Sequence, residues 1–573
     1  MYNISLLDCT LRDGGYMNDW NFGQNTLINV FERITSSGID FIEIGFLDDR
    51  RQFDINRSIM PDTASVEKIY GGLDRKNTLV VGMIDYGTCD IKNIQPQNES
   101  FLDGIRVIFK KHIMNEALDF CAQLKQLGYK VFTQAVSITS YDDEELLRLI
   151  DIVNKVKPYA VSIVDTYGLL HKNRLFHYYE VMNEHLDLEI GIGYHSHNNF
   201  QLGYANCIEL ANKHTTSLNT PLDYMELANK HTRQVLRMLT QQKFDSIEPA
   251  KEHKKQERML LLDGSVFGMG KGAGNTPTEL LAMYMNDNFG AQYDISQILE
   301  AADINILDIF KRTPWGYQLK YFLAASNDCH PNYVSFLIDK QTLSIKQVNE
   351  VLHKIDEPRK LLYDKNHIEE LYADYQKYSC ADENDYANII ELLGGKDVLV
   401  IGPGATVKTE EEKIKNYIAE NSPIVLSINF IPEDFDVKYL FLTNSKRYVR
   451  GASIIHKREN EVKIIATSNV TRAAGKFDFN LDYEKLIDRS AVFMDNSLLM
   501  LLRVFVKVKV RNVALAGFDG YSSDRETNYY SSEMEYQQAK QKGNEINKDV
   551  SKFLSSIKDN LSFKFITSTL YKL

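Results

Sequence analysis

Two histidines separated by one residue occur in Tyr194-His195-Ser196-His197-Asn198-Asn199. In an extended segment, residues two apart project to the same side, so His195 and His197 can offer two imidazoles to one ion. Near the N-terminus, Asp8-Cys9-Thr10-Leu11-Arg12-Asp13-Gly14-Gly15 places the carboxylate of Asp13 directly after the guanidinium of Arg12. One carboxylate and two imidazoles form a mixed oxygen and nitrogen set with open positions, suited to Mn²⁺, Mg²⁺, Zn²⁺ or Fe²⁺. Open positions let a substrate chelate, and the ion then polarises the bound oxygens as a Lewis acid. Taken singly, each pattern has a plainer reading, a structural ion pair for Arg-Asp and an inert surface pair for the histidines. A third segment, Gly268-Met269-Gly270-Lys271-Gly272-Ala273-Gly274-Asn275-Thr276-Pro277-Thr278-Glu279, is rich in glycine, which lets a backbone approach a ligand closely. It is not a P-loop, since Asn-Thr-Pro stands where Lys and Ser or Thr should close the motif.

The elements that would carry these residues are regular. Short β-branched runs begin near Ile4, Phe41, Thr78, Gly104, Lys130, Ala160, Glu189 and Leu260. The first seven are about 26 to 37 residues apart, enough for a strand and a crossover helix. Leu27, Val30, Phe31 and Ile34 make one helical stripe, and Leu146, Leu147, Ile150 and Val153 another. Eight such units predict a closed (β/α)8 TIM barrel over 1–290, with chemistry where the strands end. Arg12 and Asp13 then follow strand one and the histidine pair ends strand seven. The last gap is longer and repeats ELANKHT, at 209–215 and 226–232, which predicts an insertion around 209–258 outside the barrel. Residues 291–385 read as a helical extension completing this module. A new α/β pattern, with buried-strand candidates KDVLVIGPG, SPIVLSIN, KYLFLTN, KIIATSN and VALAGFDGY, predicts a Rossmann-like parallel domain over 390–573.

Composition sets the outer limits. With 573 residues, more than one domain is expected, and 44% apolar with 25% charged residues is globular usage. The net charge of −12 argues against a nucleic-acid or anionic-membrane partner. Six dispersed cysteines, none in a C-x-x-C pair, fit a reducing compartment. MYNISLLDCTLRDGG has no basic n-region and no long apolar run, so the expected location is cytoplasmic.

In its N-terminal 1–340, the chain resembles the metal-dependent pyruvate-type aldolases, such as 4-hydroxy-2-oxovalerate aldolase. Their superfamily also holds HMG-CoA lyase and the isopropylmalate and citramalate synthases. The resemblance rests on TLRDGG, HSHNN and GKGAGN occurring in that order at predicted strand ends. It implies a metal held by Asp13, His195 and His197, with Mn²⁺ or Mg²⁺ expected and Zn²⁺ compatible. It implies Arg12 as the group that stabilises an enolate and Glu43 as a buried acid near it, with a structural partner of Arg12 as the competing role. Thr166, Asn199 and Asn275 match substrate-binding or metal-proximal positions. Where aldolases of this kind carry a general-base histidine after the RDG, this chain has Tyr16, whose ordinary pKa near 10 makes it a poor base at neutral pH. Tyr16 is then a candidate acid or hydrogen-bond donor, and the candidates for the base are a metal-bound water, His330 or Tyr333.

The implied reaction makes or breaks a C–C bond of a 2-oxoacid through a pyruvate-type enolate, with an aldehyde as the other partner. A sugar or surface-polysaccharide pathway is the expected context. The alternatives are an acyl-CoA-dependent Claisen synthase of the same superfamily, and a non-catalytic barrel serving as a scaffold for the C-terminal domain. Homo-oligomerisation is compatible with either enzyme. In the C-terminal domain, IGPGATVK supplies Gly402 and Gly404 but not the third glycine of a dinucleotide fingerprint, and AGFDGYSSD supplies Asp519. These three are the candidates for holding a nucleotide or nucleotide-sugar.

Overall fold

Runs such as FIEIGFL and AVSIVD are buried along their whole length, as strands covered on both faces must be. The structure is a computed structural model. It describes residues 3–216, 258–340, 342–360, 362–377, 380–458, 461–470, 477–491, 493–523, 528–531, 534 and 542–572. Residue contacts divide the chain into two compact units, Met1–Asp328 and Cys329–Leu573.

The first unit is a parallel barrel. Its strands are β1 (Ile4–Asp8), β2 (Phe41–Leu47), a two-residue side strand β3 (Ile59–Met60), β4 (Leu79–Asp85), β5 (Gly104–Phe109), β6 (Lys130–Ala135), β7 (Ala160–Asp165), β8 (Gly191–Ser196) and β9 (Leu260–Gly264). The order runs β1-β9-β8-β7-β6-β5-β4-β2, and β1 also pairs with β2 through Leu7↔Phe41 and Asp8↔Ile42, which closes eight strands on themselves. Side chains of alternate residues fill the interior in layers. Leu7, Phe41, Val81, Phe132, Ala160 and Leu261 form an apolar layer. Two residues further along their strands come Glu43, Gln134, Ser162 and Asp263, all buried, so the layer nearer the strand ends is polar.

Amphipathic helices cover the outside. In Gln24–Ser36 the stripe Leu27, Val30, Phe31 and Ile34 is buried as expected. In Asp143–Val156 the buried set is Leu146, Leu149, Ile150 and Val153, while Leu147 is 38% exposed. Leu147 lies about 100° around the helix from Leu146, off the i, i+3, i+4, i+7 face, so the expected stripe was wrong by that residue. This helix opens with a capping box: Asp142 accepts from the Glu145 amide, and the Glu145 carboxylate accepts from the Asp142 amide. The first copy of ELANKHT forms part of the barrel helix Gly203–Thr216, with Leu210 and Ala211 buried. The second copy lies outside the described residues.

The second unit holds a seven-stranded parallel sheet in the order β14-β13-β12-β11-β10-β15-β16. Its strands are β10 (Asp397–Ile401), β11 (Ile424–Ile428), β12 (Tyr439–Leu442), β13 (Lys463–Thr467), β14 (Phe479–Leu481), β15 (Asn512–Ala516) and β16 (Ser562–Phe565). Val398 and Val400 join the core on one face, and Leu399 and Ile401 the core on the other. The Rossmann-like expectation holds. The helices Pro331–Asp339, Ile345–Leu352 and Lys365–Gln376 fall in this unit, where Gln347 Nε2 donates to Ser445 Oγ and Asn469 Nδ2 to Gln376 Oε1. No helix among the described residues is long and apolar enough to cross a membrane.

Asp8, at the end of β1, accepts from the Thr10 amide and the Thr278 hydroxyl, yet burial raises its carboxyl to about 6. An unfolded aspartate ionises near 4, so between about pH 4 and pH 6 the unfolded chain releases this proton first. Stability therefore falls as pH rises through that window and levels off above it. The Asp8→Asn variant should lose this component. The check is the denaturant midpoint of both proteins at pH 4, 5, 6 and 7, and a pH-independent difference would refute the assignment.

Candidate metal centre

Asp13 ends a short helical turn, Thr10–Asp13, directly after β1, while His195 and His197 flank the end of β8. All three are buried, and one ligand atom from each lies within 4.8 Å of the others. The two imidazoles meet edge-on, with ring centroids 5.1 Å apart. Burial pushes His197 down to about 3, which keeps its ring neutral and its lone pair available. Burial opposes ionisation of Asp13, but the adjacent Arg12 guanidinium, together with smaller contributions from His197, His195 and the Asn275 hydrogen bond, outweighs it and holds the carboxyl well below the usual range.

These residues fit a divalent cation. His197 Nδ1 and Asn275 Oδ1 are buried and lack hydrogen-bond partners among the described residues. Such orphaned lone pairs are costly in a protein interior unless something accepts them. His195 is oriented from behind: its Nδ1 lies 2.9 Å from Asp263 Oδ2, which leaves Nε2 for a ligand role.

Behind the three ligands runs a line of buried charge. Arg12 gives Nη1 to Asp13 and Nε to Glu43 at 2.6 Å. Arg106 Nη1 lies 3.3 Å from the same Glu43 oxygen, and Arg106 Nη2 bonds Asp263 Oδ2. Arg106 also donates to Gln134, and Gln134 to Ser162. Asp13, Glu43 and Asp263 face Arg12 and Arg106, so three carboxyl groups meet two guanidinium groups. At the open end the Lys271 ammonium also acts on Asp13.

The remaining candidates take distinct places. Glu43 is the buried partner of both arginines and lies outside the ligand set, so its place is that of a positioning residue. Asn275 donates Nδ2 to Asp13 Oδ2 at 2.7 Å, and its backbone pairs with His197. Asn199 is tied at both ends of its amide, donating to Tyr167 O and accepting from the Ala273 amide. It clamps three loops together in this structure. Thr166 Oγ1 accepts from the Ser137 amide, which fixes the hydroxyl and leaves its proton to donate. Tyr16 sits in the turn Gly14–Met17, edge-on to Trp20 and 43% exposed. Desolvation of its hydroxyl, with a smaller contribution from Asp13, raises the phenol to about 12. The Lys271 ammonium lies over its ring at 5.5 Å. His330 and Tyr333 belong to the second unit, where His330 Nδ1 accepts from the Asn332 amide and Tyr333 donates to backbone carbonyls.

Sequence reasoning missed Arg106, Asp263 and Lys271. Arg106 and Asp263 are single charges within apolar barrel strands, GIRVIF and LLLDG, a pattern that calls for a buried partner.

The HMGL-like family model matches residues 3–219. Over those residues the barrel is similar to the HMGL-like family. Among curated relatives, 4-hydroxy-2-oxovalerate aldolase 6 of Rhodococcus jostii is 19% identical, over 54% of this chain and 76% of its own. Homocitrate synthase of Sulfolobus acidocaldarius is 24% identical, over 38% of this chain and 48% of its own. Among solved structures, the N-terminal domain of a Bacteroides vulgatus protein assigned as an aldolase aligns with a TM-score of 0.43 and 20% identity, covering 60% of this chain and 98% of that one. In this chain the barrel is followed by a second unit with its own parallel sheet.

Asp263→Asn should keep the packing but weaken the acceptor that fixes the His195 ring. Metal affinity, read by Mn²⁺ titration, is expected to fall about 10- to 100-fold. Unchanged affinity would show that His195 does not need Asp263.

Proposed function

We propose that the HMGL-like barrel is a divalent-metal-dependent aldolase acting on a 2-oxoacid, with an aldehyde as second substrate. The observation that carries this reading is the buried Asp13, His195 and His197 set with Arg12 bonded to one of its members. A divalent cation there would supply Lewis-acid polarisation of the carboxylate and keto oxygens of the 2-oxoacid.

The protein's own groups complete the site. Arg12 is fixed through Nε and Nη1, which leaves Nη2 to meet negative charge as it develops on the substrate keto oxygen. No conformational search is needed, because Glu43 and Asp13 already hold the guanidinium. Thr166 donates to the substrate carboxylate. Tyr16 keeps its proton at neutral pH, so it acts as the donor that protonates the aldehyde oxygen as the C–C bond forms. The Lys271 ammonium beside its ring adds positive charge at the same end of the site. On this reading a phenol stands where the resembling aldolases use an imidazole, and the group that donates the proton in condensation takes it back in cleavage.

Similarity to a homocitrate synthase supports a second reading, an acyl-CoA-dependent Claisen synthase. Release of free CoA from acetyl-CoA and a 2-oxoacid is its distinguishing product.

Incubation with pyruvate in deuterated water and Mn²⁺, Mg²⁺ or Zn²⁺ should exchange the methyl hydrogens. A panel of aldehydes and sugars followed by mass spectrometry then identifies the acceptor. Tyr16→Phe should retain exchange within a few-fold while condensation drops about 10²- to 10⁴-fold. Absence of exchange with every ion would end the aldolase reading. Loss of exchange in Tyr16→Phe would move the phenol to the pyruvate side.

A further inference from the structure

In the second sheet the strand order reverses direction between β10 and β15, with β11 to β14 on one side and β16 on the other. Open parallel sheets bind ligands in the crevice beyond the carboxyl ends of the strands at such a point. A cavity of about 170 Å³ lies there, bordered by Gly404 after β10, Asn429 after β11, Asn444 after β12 and Asp519 after β15.

The glycine turn expected to cradle a phosphate does not form the anionic end of this cavity. Asp519 accepts from the Thr406 amide at 2.9 Å and from the Thr406 hydroxyl. Its carboxylate therefore occupies the amide that a phosphate would need. A Cβ on Gly404 would lie 2.5 Å from Asp519 Oδ1, and one on Gly402 would lie 2.6 Å from the Phe518 ring. Both glycines make room for the β15 loop. An added anion on this side would meet a fixed negative charge.

The opposite polarity is found at Arg447, in the first turn of the helix Ser445–Lys457. Its Nη2 donates to Met534 O at 2.6 Å, whereas Nη1 is buried with no partner among the described residues. Among the described residues, the charged or aromatic groups acting on it are Tyr529, Arg450 and Tyr521. The other lining cation, Lys340, has Asp495 as a counter-charge. The cavity thus contains the Lys340–Asp495 pair, the Asp519 carboxylate tied to Thr406, and a guanidinium whose Nη1 lacks an acceptor among the described residues. A buried guanidinium nitrogen without an acceptor is unfavourable, and its planar fork matches phosphate oxygens.

Size and the other walls narrow the ligand. A cavity of about 150 Å³ accommodates a single six-membered ring, so the enclosed part holds one ring with its substituents and its open side leaves anything attached to that ring outside. Tyr521 and Tyr529 present rings 6.2 Å apart, and the Tyr571 side chain also borders the space. Asp495 takes the Tyr483 hydroxyl on Oδ2 and has a second oxygen for a ligand hydroxyl. An anionic group, hydroxyls and a single ring together describe a phosphorylated sugar.

We propose that this cavity is a second small-molecule site, for a sugar phosphate whose phosphate is held by Arg447, the sugar being free or part of a mononucleotide. The site is independent of the barrel's metal and of the reaction proposed there.

The test is calorimetric titration of the full chain with ribose 5-phosphate, adenosine 5′-monophosphate and ribose. Saturable binding of at least one phosphorylated probe, with none for ribose, is expected. Equal affinities for the two phosphorylated probes indicate that ring and phosphate suffice; tighter binding of the nucleotide indicates that the base is held as well. Arg447→Gln should weaken binding at least tenfold, and Arg447→Lys, which keeps the charge but loses the fork, severalfold. Thermal melting of each variant without ligand controls for folding. The proposal is overturned if neither phosphorylated probe binds the parent chain. It is also overturned if a normally melting Arg447 variant, Gln or Lys, binds as tightly as the parent.

Discussion

The barrel is organised around a chain of charge that water does not reach: Asp13 to Arg12, Arg12 to Glu43, Glu43 to Arg106, Arg106 to Asp263, and Asp263 to His195. It begins and ends on residues of the metal-ligand set. Removing one member of a buried charge network strands its neighbour, typically at about 3–5 kcal/mol, whereas replacing whole pairs by apolar residues is often harmless. Stability alone therefore does not explain an ionic layer inside a barrel. Its position does. It fixes the separation and orientation of two candidate ligands contributed by strands far apart in sequence.

The apolar layer beneath gives that network its strength. Leu7, Phe41, Val81, Phe132, Ala160 and Leu261 fill the barrel on the side away from the strand ends. Water is excluded from below, and charges in such surroundings interact more strongly than at a surface. The polar layer is also laterally bonded, through Arg106, Gln134 and Ser162, so it reaches across strands β5 to β7. A ligand side chain displaced on β8 would have to disturb this layer. Such preorganisation suits a site whose chemistry depends on holding a substrate against fixed charge.

Much of this was legible in the residues. Six of the eight barrel strands begin at the expected residue, and the other two, at Leu79 and Gly191, begin one and two residues later. Long β-branched runs at regular spacing leave few alternatives. The ligand set was legible because His195 and His197 share one side of a strand end. The edge strands β14 and β16 escaped notice because they are short and, in β16, half-exposed and alternating with a lysine. Leu147 was included with Leu146, and Leu149 left out, because a leucine pair offers two helical phases and only packing selects between them. Arg106 and Asp263 were missed for a different reason. An isolated charge in a strand reads as solvent-facing until closure of the barrel makes both faces interior. Glu43 was noticed, but only the inward-facing Arg106 shows why it is buried.

The glycine motifs show the same dependence on context. GMGKGAGN and IGPG both suggest backbone drawn close to a ligand. In each, the group approached is a carboxylate of the protein itself. A Cβ on Gly270 would lie 2.5 Å from Asp13 Oδ2, and one on Gly404 would lie 2.5 Å from Asp519 Oδ1. The consequences are opposite. In the barrel, the Lys271 amide and Asn275 meet Asp13 from the glycine loop and hold the carboxylate of this candidate metal ligand in place. In the second unit, Asp519 neutralises the turn where an external anion would otherwise bind, and the positive charge is displaced across the crevice to Arg447. Glycine spacing therefore reports a close approach, and only the partner of that approach determines whether the loop binds an anion, repels one, or supports a metal ligand.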